Sequence, residues 1–127
     1  MNESRKSTFE NLECWKVSRD LRIYVVKNIL PSLPADEKYR LGDQMLRAAR
    51  SATANLAEGY GRYHYLDQAK FLSNSRGSLY EVLEHAITAA DEELISHRQL
   101  ETLREKIDLA IKLLNGYRAY LLKKSKS

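Results

Sequence analysis

One thiol and three imidazoles are the side chains of this 127-residue sequence best suited to transition-metal binding: Cys14, His64, His85 and His97. A di-iron centre in a helical bundle needs a Glu-x-x-His pair on each of two helices and inward-facing glutamates on two others. Glu81 and His85 are four residues apart, but both are predicted opposite the apolar face of their helix, and the sequence holds no second pair. We therefore expect solvated histidines and no metal site.

Covalent catalysis finds equally little support in the sequence. The Gly-x-Ser-x-Gly motif of serine hydrolases is absent, and Cys14 lies on an apolar helical face, where a core position is expected. Gly59-Tyr60-Gly61 superficially resembles a phosphate-binding loop, but it ends a helix, whereas such loops follow a strand and open a helix. Because no acid, base and nucleophile converge on one face, we predict a protein without catalytic residues or cofactor.

A polar stripe on the second predicted helix borders its apolar face. One interpretation is a solvated face with intrahelical pairs such as Glu58 with Arg62. The other is a polar seam against a neighbouring helix or subunit, in which Asn55 and Glu58 form hydrogen bonds across a close approach. Two small residues, Ala54 and Ala57, would allow that approach. The seam residues are Gln44, Ser51, Asn55 and Glu58.

Charge is unevenly distributed along the chain, although the total is only +4. Residues 1–76 carry a net +4, residues 77–111 a net −5 and residues 112–127 a net +5. Clustered Lys and Arg bind phosphates, and Tyr60, Tyr63 and Tyr65 beside Arg62 could stack on bases. The candidate nucleic-acid contacts are Lys16, Arg19, Arg22, Arg40, Arg47, Arg50, Arg62, Lys123 and Lys124, with Lys27 and Lys126 as further basic residues. A charged face is also the usual solubilising surface of a protein.

Apolar residues at three- and four-residue spacing predict four helices that position these side chains. The first runs from Leu12 to Leu30, before the break at Pro31 and Pro34. Its inward face is Cys14, Val17, Ser18, Leu21, Tyr24, Val25 and Asn28. The second starts just after Pro34 and reaches Gly59–Gly61, where left-handed glycine is expected to end it.

The third predicted helix spans about Leu66 to Leu94, and the fourth begins at Ser96, with Gln99 completing a capping box. The fourth has the clearest apolar stripe of the chain: Leu100, Leu103, Ile107, Ala110, Leu114, Tyr117 and Leu121. Four such helices with short connections predict an all-α protein, an antiparallel up-down-up-down four-helix bundle. Only 2 Pro and 5 Gly interrupt the chain, which also favours long helices.

The bundle is predicted to occupy residues 9–122, between a flexible N-terminal tail at residues 1–8 and a flexible basic tail at residues 123–127. The single cysteine, the absence of a signal-peptide pattern and the absence of a long apolar run predict a soluble cytoplasmic protein without a membrane partner.

Three groups of residues form motifs that, taken together, resemble those of a known protein family. They are Phe9-x-x-Leu12-x-x-Trp15-Lys16, then Glu37-x-Tyr39-x-Leu41-x-x-Gln44-x-x-Arg47-Ala48-x-x-Ser51-x-x-x-Asn55-x-Ala57-Glu58-Gly59, and then Phe71-Leu72 with Arg76-Gly77-Ser78-Leu79-x-Glu81. They resemble the four-helix bundle proteins encoded by 23S ribosomal RNA intervening sequences, over nearly the whole chain. In the most specific run, Leu56 replaces the commoner isoleucine. The same superfamily contains the accessory variability protein of diversity-generating retroelements.

The resemblance implies a small antiparallel bundle that assembles as a ring-like homopentamer and has no enzymatic activity. The retroelement relatives are basic pentamers that bind nucleic acid and a reverse transcriptase, whereas the intervening-sequence members have no settled role. Two hypotheses follow, because fold alone does not determine function. One is a non-catalytic homo-oligomer that binds RNA or DNA through clustered Lys and Arg. The other is a protein-interaction scaffold or accessory subunit, for example for a reverse transcriptase.

Overall fold

The chain forms helices wherever its apolar spacing is regular. A computed structural model describes residues 7–127, and within this range the chain contains helices and turns but no β-strand. The helices are α1 (Glu13–Tyr24), α2 (Ala35–Lys38), α3 (Leu41–Tyr60), α4 (Tyr65–Asp91) and α5 (His97–Lys124). The predicted all-α four-helix bundle is confirmed, and α1, α3, α4 and α5 are its four helices.

Contacts between the helices establish their directions. The packing order around the bundle is α1, α3, α4 and α5, and α5 closes the bundle against α1. Tyr60 at the end of α3 donates a hydrogen bond to the carbonyl of Ser7, just before α1, at 3.4 Å. Arg118 near the end of α5 donates to the carbonyl of Ala69 near the start of α4, at 3.3 Å. Neighbouring helices therefore run antiparallel, as predicted.

The core forms along the predicted apolar stripes. In α5 every residue of the predicted stripe is buried except Tyr117, which is half-buried. In α3 the buried residues include Met45, Ala52 and Leu56. In α4 Val82 is fully buried, while its neighbour Leu83 is only half-buried. The small residues of α3 bring its axis close to α4.

The inward face of the first helix changes register near its end. Cys14, Leu21 and Val25 are buried as predicted, but the next buried residue is Ile29, and the predicted Asn28 is exposed. A π-helical turn at Val25–Ile29 explains the shift, because a wider turn moves the face by one residue. Pro31 follows this turn. Its missing N–H and its ring are incompatible with a regular α-helix there, so the helix widens before it.

The second predicted helix is divided in two. α2 ends at Lys38, the chain turns at Tyr39 and Arg40, and α3 begins at Leu41. A Cβ on Gly42 would lie only 3.0 Å from Leu33 Cδ1 and 3.3 Å from the Glu37 carbonyl oxygen. The turn thus folds the segment after Pro31 tightly over the start of α3.

The expectation that left-handed glycines end the second helix is wrong. Gly61 caps α3 at a φ of −79°, in the right-handed region. Gly59 lies inside α3 and is buried, and a Cβ there would stand 2.9 Å from Phe71 Cβ. Gly59 therefore allows α3 and α4 to pack closely because it has no side chain. It does not adopt the left-handed conformation.

A left-handed residue does end a helix, but it is a glutamate at the end of α4. Glu93 has a φ of 60°, its N–H donates to the Ala90 carbonyl at 3.0 Å, and the Leu94 N–H donates to the Ala89 carbonyl at 2.8 Å. This pair of hydrogen bonds is a Schellman motif, which usually carries glycine at the left-handed position. The sequence signal for a helix end is thus missing where the conformation occurs.

Replacing this glutamate by glycine should stabilise the protein. We expect Glu93→Gly to raise the free energy of unfolding by about 0.5–1 kcal/mol, because glycine adopts the left-handed region without the steric cost of a Cβ. The thermal midpoint should rise by roughly 2–4 °C in a melt followed by circular dichroism. Glu92→Gly, one residue earlier at a φ of −90°, is the control and should be destabilising. Equal effects of the two variants would contradict the assignment.

The predicted capping box of the last helix is confirmed, and it also connects the start of α5 to the end of the first helix. Ser96 Oγ accepts from the Gln99 N–H at 3.0 Å, and Gln99 Oε1 accepts from the Ser96 N–H at 2.7 Å. The Gln99 amide then donates to the Asn28 carbonyl at 2.9 Å and to Ser32 Oγ at 2.8 Å. One side chain thereby caps α5 and holds it against the end of the first helix.

The ends of the described range differ slightly from the predicted domain limits. α5 continues to Lys124, so Lys123 and Lys124 belong to its last turn. Thr8, at the end of the tail predicted at residues 1–8, caps a short 3-10 turn at Phe9–Asn11. Residues 1–6 of that predicted tail lie outside the described residues. None of the helices described in residues 7–127 is long and apolar enough to cross a membrane.

Candidate nucleic-acid interface

A basic groove runs between α1 and α3. It consists of two adjoining depressions of about 270 and 190 Å³, and Arg22 and Arg50 line both. Trp15 and Ala57 lie in the first depression, and Lys27 lies in the second. We call this surface the α1–α3 groove. The other residues that line it are Phe9, Thr53, Ala54, Ile23, Val26 and Leu46.

One arginine of the groove is oriented by a hydrogen bond, and another arginine lies over an aromatic ring that lines the groove. Arg22 donates from Nη1 to Thr53 Oγ1 at 2.7 Å, and the Thr53 hydroxyl donates to the Arg50 carbonyl at 3.1 Å. Arg19 lies over the Trp15 ring, with its guanidinium carbon 5.9 Å from the ring centroid. Within residues 7–127 none of these three arginines forms an ion pair with a carboxylate. Their charge is therefore available to an external anion.

Four other predicted basic contacts are paired with acidic residues of their own helix or turn. These ion pairs are exposed and contribute little to stability. The pairs are Lys16 with Glu13 at 3.0 Å, Arg40 with Glu37 at 4.0 Å, Arg47 with Asp43 at 3.0 Å and Arg62 with Glu58 at 2.8 Å. The structure thus brings Arg22, Arg50 and Lys27 together as lining residues of one groove. Arg19 adjoins the groove through the Trp15 ring.

The predicted aromatic loop lies at one end of the bundle and is only partly available. Tyr63 is 92% exposed, but Tyr60 is half-buried, and its hydroxyl is bonded to the Ser7 carbonyl. Arg62 is also engaged, because besides its ion pair it lies 4.5 Å from the centroid of the Phe71 ring. Of the predicted loop, the exposed rings of Tyr63 and Tyr65 are accessible.

Lys123 and Lys124 lie at the end of α5, where they border another depression together with Tyr120. Lys124 stands 5.8 Å from the centroid of the Tyr120 ring, which also stacks on Tyr117 at 6.1 Å. No residue lines both this depression and the α1–α3 groove, and no hydrogen bond or ion pair joins the two lysines to the groove within residues 7–127. They form a second basic surface.

The predicted polar seam is only partly formed within the subunit. Ser51 Oγ and Ser78 Oγ are 2.8 Å apart, so Ser51 does connect α3 to α4. Asn55 instead donates to the Ser51 carbonyl and Oγ on its own helix, at 2.9 and 3.1 Å, and Glu58 pairs with Arg62. Gln44 is exposed. The expected bonds of Asn55 and Glu58 to another helix are thus absent from residues 7–127 of one subunit, and a seam with a second subunit stays a prediction.

The close approach of α3 to its neighbour is made by residues other than the predicted Ala54 and Ala57. Ala54 and Ala57 face the α1–α3 groove. The helices meet instead at Gly59 and at Ser75, whose buried hydroxyl donates to the Ala52 carbonyl of α3 at 2.7 Å. Sequence periodicity placed the small residues on a helix but could not say which neighbour each would face.

The histidines that could act as metal ligands lie apart from one another in the structure. His85 Nε2 lies 3.3 Å from Glu81 Oε2, and the histidine side chain is only 15% exposed, so it is less solvated than expected. His64 and His97 are exposed. In the part of the chain that the structure describes, no three His, Cys, Asp or Glu side chains are grouped so as to hold a metal ion.

Cys14 is a core residue, as predicted, with 2% of its surface exposed. Burial raises the pKa of its thiol from the ordinary 9.0 to about 11. Because the thiol stays protonated in the folded protein, native Cys14 should react with thiol reagents only when the chain unfolds.

The same pKa shift predicts a loss of stability at alkaline pH. The folded state holds the thiol proton more tightly, so the stabilisation is complete below pH 9.0 and declines as the pH rises towards about 11. We expect the free energy of unfolding in urea to fall over this range more steeply for the native chain than for Cys14→Ala. Parallel pH profiles of the two proteins would contradict the prediction.

Two arginines were missed by the sequence analysis. Arg76 and Arg118 line a depression between α4 and α5 together with Ser73 and Asn115. They are 42 residues apart in the sequence and lie outside the runs of clustered basic residues. Their proximity depends on the antiparallel pairing of α4 with α5. The spacing of residues within either helix does not predict it.

Comparison with known proteins supports the fold and the family motifs. The family model of the 23S rRNA-intervening sequence protein matches residues 10–116. A crystal structure of a protein of unknown function from the S23 ribosomal protein family of Bacteroides thetaiotaomicron aligns with a TM-score of 0.75 and 20% sequence identity. The alignment covers 83% of this chain and 97% of that one, which shows a shared fold. A search of curated protein sequences found no match.

Proposed function

Since this chain belongs to the 23S rRNA-intervening sequence protein family, we propose that it is a non-catalytic homo-oligomer that binds nucleic acid through the basic residues of the α1–α3 groove. The observation that carries the proposal is the arrangement of Arg19, Arg22 and Arg50. Arg22 and Arg50 line the groove, and Arg19 lies over the Trp15 ring that lines it. None of the three has a carboxylate partner within residues 7–127, whereas four other predicted basic residues are neutralised locally.

The groove combines the two contacts that nucleic acids favour. Guanidinium groups donate paired hydrogen bonds to phosphate oxygens, and Arg22 is already oriented by Thr53. Trp15 and Val26 add apolar surface, and Val26 is 44% exposed. A few cations per subunit give only weak binding. The proposed ring would repeat the groove around its axis, and a long polyanion could then engage several copies at once.

The family resemblance suggests a pentamer as the oligomer. A pentamer should sediment at five times the chain mass of 14.7 kDa in analytical ultracentrifugation. A protein that remains monomeric at the concentrations of the binding assay would remove the oligomeric part of the proposal. It would leave the binding part to the titration.

Nucleic-acid binding is tested by titration with a structured RNA and with duplex DNA at several salt concentrations. Because bound phosphates release counterions, the affinity should fall steeply with salt, with a logarithmic slope of about 0.7–0.9 per phosphate contact. The structured RNA and the duplex should both bind at about 50 mM salt, since phosphate contacts do not depend on base sequence. Negligible affinity for both at that salt concentration would refute the proposal.

A protein-interaction scaffold is the second candidate, and one surface favours it. Leu66 is 63% exposed and, with Tyr65, borders a depression at the loop end of the bundle. Exposed apolar side chains of this kind often mark protein contacts. A pulldown from the native host distinguishes the two functions: partners that survive nuclease treatment, a reverse transcriptase among them, favour the scaffold, and partners lost on digestion favour nucleic acid.

A further inference from the structure

The groove between α4 and α5 is lined by two arginines, which only donate hydrogen bonds, and by two neutral side chains that can both donate and accept them. Its volume is about 360 Å³, and its lining residues are Ser73, Arg76, Asn115 and Arg118. Every one of these side chains can donate an N–H or O–H, and no carboxylate lines the groove. The helices pack in the order α1, α3, α4 and α5, so this groove lies on the opposite side of the bundle from the α1–α3 groove. It is a separate surface.

Arg118 is held in the groove by the backbone. Its Nε donates to the Ala69 carbonyl at 3.3 Å, and its side chain is half-buried. Both terminal amino groups of the guanidinium have no hydrogen-bond acceptor within residues 7–127. These N–H groups are therefore available to an anion in the groove, and a charge-assisted hydrogen bond there is stronger than one to water.

Arg76 supplies the second charge from the other wall of the groove. Its guanidinium carbon lies 5.3 Å from the centroid of the Tyr80 ring, which restricts the side chain without neutralising it. Within residues 7–127 neither Arg76 nor Arg118 forms an ion pair. The acidic residues nearest along α4 and α5 are Asp67, Glu81 and Asp108, each at least five positions from every lining residue.

We propose that the α4–α5 groove binds a phosphate group between Arg76 and Arg118, with Ser73 and Asn115 as neutral donors. Two like charges that share a groove repel each other, and an anion between them turns this repulsion into attraction. A tetrahedral phosphate presents oxygens to both helices at once, whereas a carboxylate presents one planar edge to a single guanidinium. The phosphate belongs either to a polynucleotide backbone or to inorganic phosphate, which offer the same oxygens.

Arginine side-chain NMR of the isotope-labelled full chain tests the site directly. Potassium phosphate should produce a saturable shift of the Nε–Hε signals of Arg76 and Arg118, and potassium chloride at equal ionic strength should not. Arg76→Gln should weaken the phosphate affinity roughly tenfold or more, measured on the Arg118 signal, because a charge-assisted contact is lost. Arg98→Gln removes the same charge from an exposed position at the start of α5 and should change the affinity less than about twofold.

A short oligouridylate separates the two sources of phosphate. A shift of the same signals at phosphate concentrations far below those needed for the inorganic ion supports the backbone as ligand, and a response to inorganic phosphate alone supports a small phosphate ligand. Shifts that stay linear, that chloride reproduces, or that survive Arg76→Gln unchanged would overturn the site. The proposal does not depend on the α1–α3 groove, so Arg19→Gln with Arg50→Gln should leave these shifts intact.

Discussion

Gly59→Ala is expected to lower the free energy of unfolding by about 1–3 kcal/mol, although alanine is the better helix former. The new Cβ would stand 2.9 Å from Phe71 Cβ and 3.1 Å from the Gln68 carbonyl oxygen. The second neighbour is backbone and cannot rotate away, so α4 must move from α3. A shift of this kind also disturbs the contact of the Ser75 hydroxyl with α3. The thermal midpoint should fall by roughly 4–12 °C.

Gly77→Ala is the matched control for this prediction. Gly77 lies within α4, and a Cβ there meets no atom within 4 Å. The same change should therefore stabilise the protein by up to about 1 kcal/mol through helix propensity alone. Opposite signs in parallel urea titrations of the two variants support the role assigned to Gly59. A Gly59→Ala protein as stable as the native chain would contradict the prediction, because it would mean that α4 can move away from α3 without loss of unfolding free energy.

Arg19→Gln combined with Arg50→Gln is expected to weaken RNA binding roughly tenfold or more at about 50 mM salt. Arg50 lines the α1–α3 groove, and Arg19 lies over the Trp15 ring that lines it. Both are exposed without an ion-pair partner within residues 7–127, so the substitutions remove charge with little effect on folding. Arg22 is left in place because its bond to Thr53 connects α1 to α3. The slope of log affinity against log salt should decrease by about 1–2 units, as expected for two lost phosphate contacts.

The control pair is Lys38→Gln with Arg98→Gln, which changes the net charge equally at exposed positions away from the groove. This variant should retain most of the affinity, because charges beyond a Debye length are screened, about 10 Å at 0.1 M salt. An equal loss in both variants would show that net charge alone attracts the nucleic acid. Retained binding in the Arg19 and Arg50 variant would exclude the groove as the interface.

The sequence was sufficient for the bundle because its signals are local. The apolar stripe from Leu100 to Leu121 and the capping box at Ser96 depend on spacing within a single helix, and both appear as predicted. The family motifs added the same fold. One error was local: Ile29 replaces Asn28 on the inward face because a π-helical turn, which the apolar spacing does not reveal, precedes Pro31. The other errors arose where a non-local contact decided the outcome.

Glycine is the clearest case of ambiguity. The residue type suggested that Gly59 ends a helix, whereas the structure uses it as a small residue against Phe71, and Glu93 adopts the left-handed conformation instead. The candidate interface was predictable only as a list of basic residues. Which of them are neutralised by a carboxylate, and which converge from α1 and α3, depends on helix orientation, and so does the pairing of Arg76 with Arg118 across α4 and α5.

The hydrogen bonds from Gln99 to the end of the first helix have a consequence for biosynthesis. α1 packs against α5, which is synthesised after the other three helices of the bundle. During translation the apolar side of α1 that faces α5 is therefore exposed until α5 emerges, and the bundle cannot close earlier. A nascent chain arrested within α5 should bind chaperones at this exposed surface. Truncated products should be degraded more rapidly than the released protein.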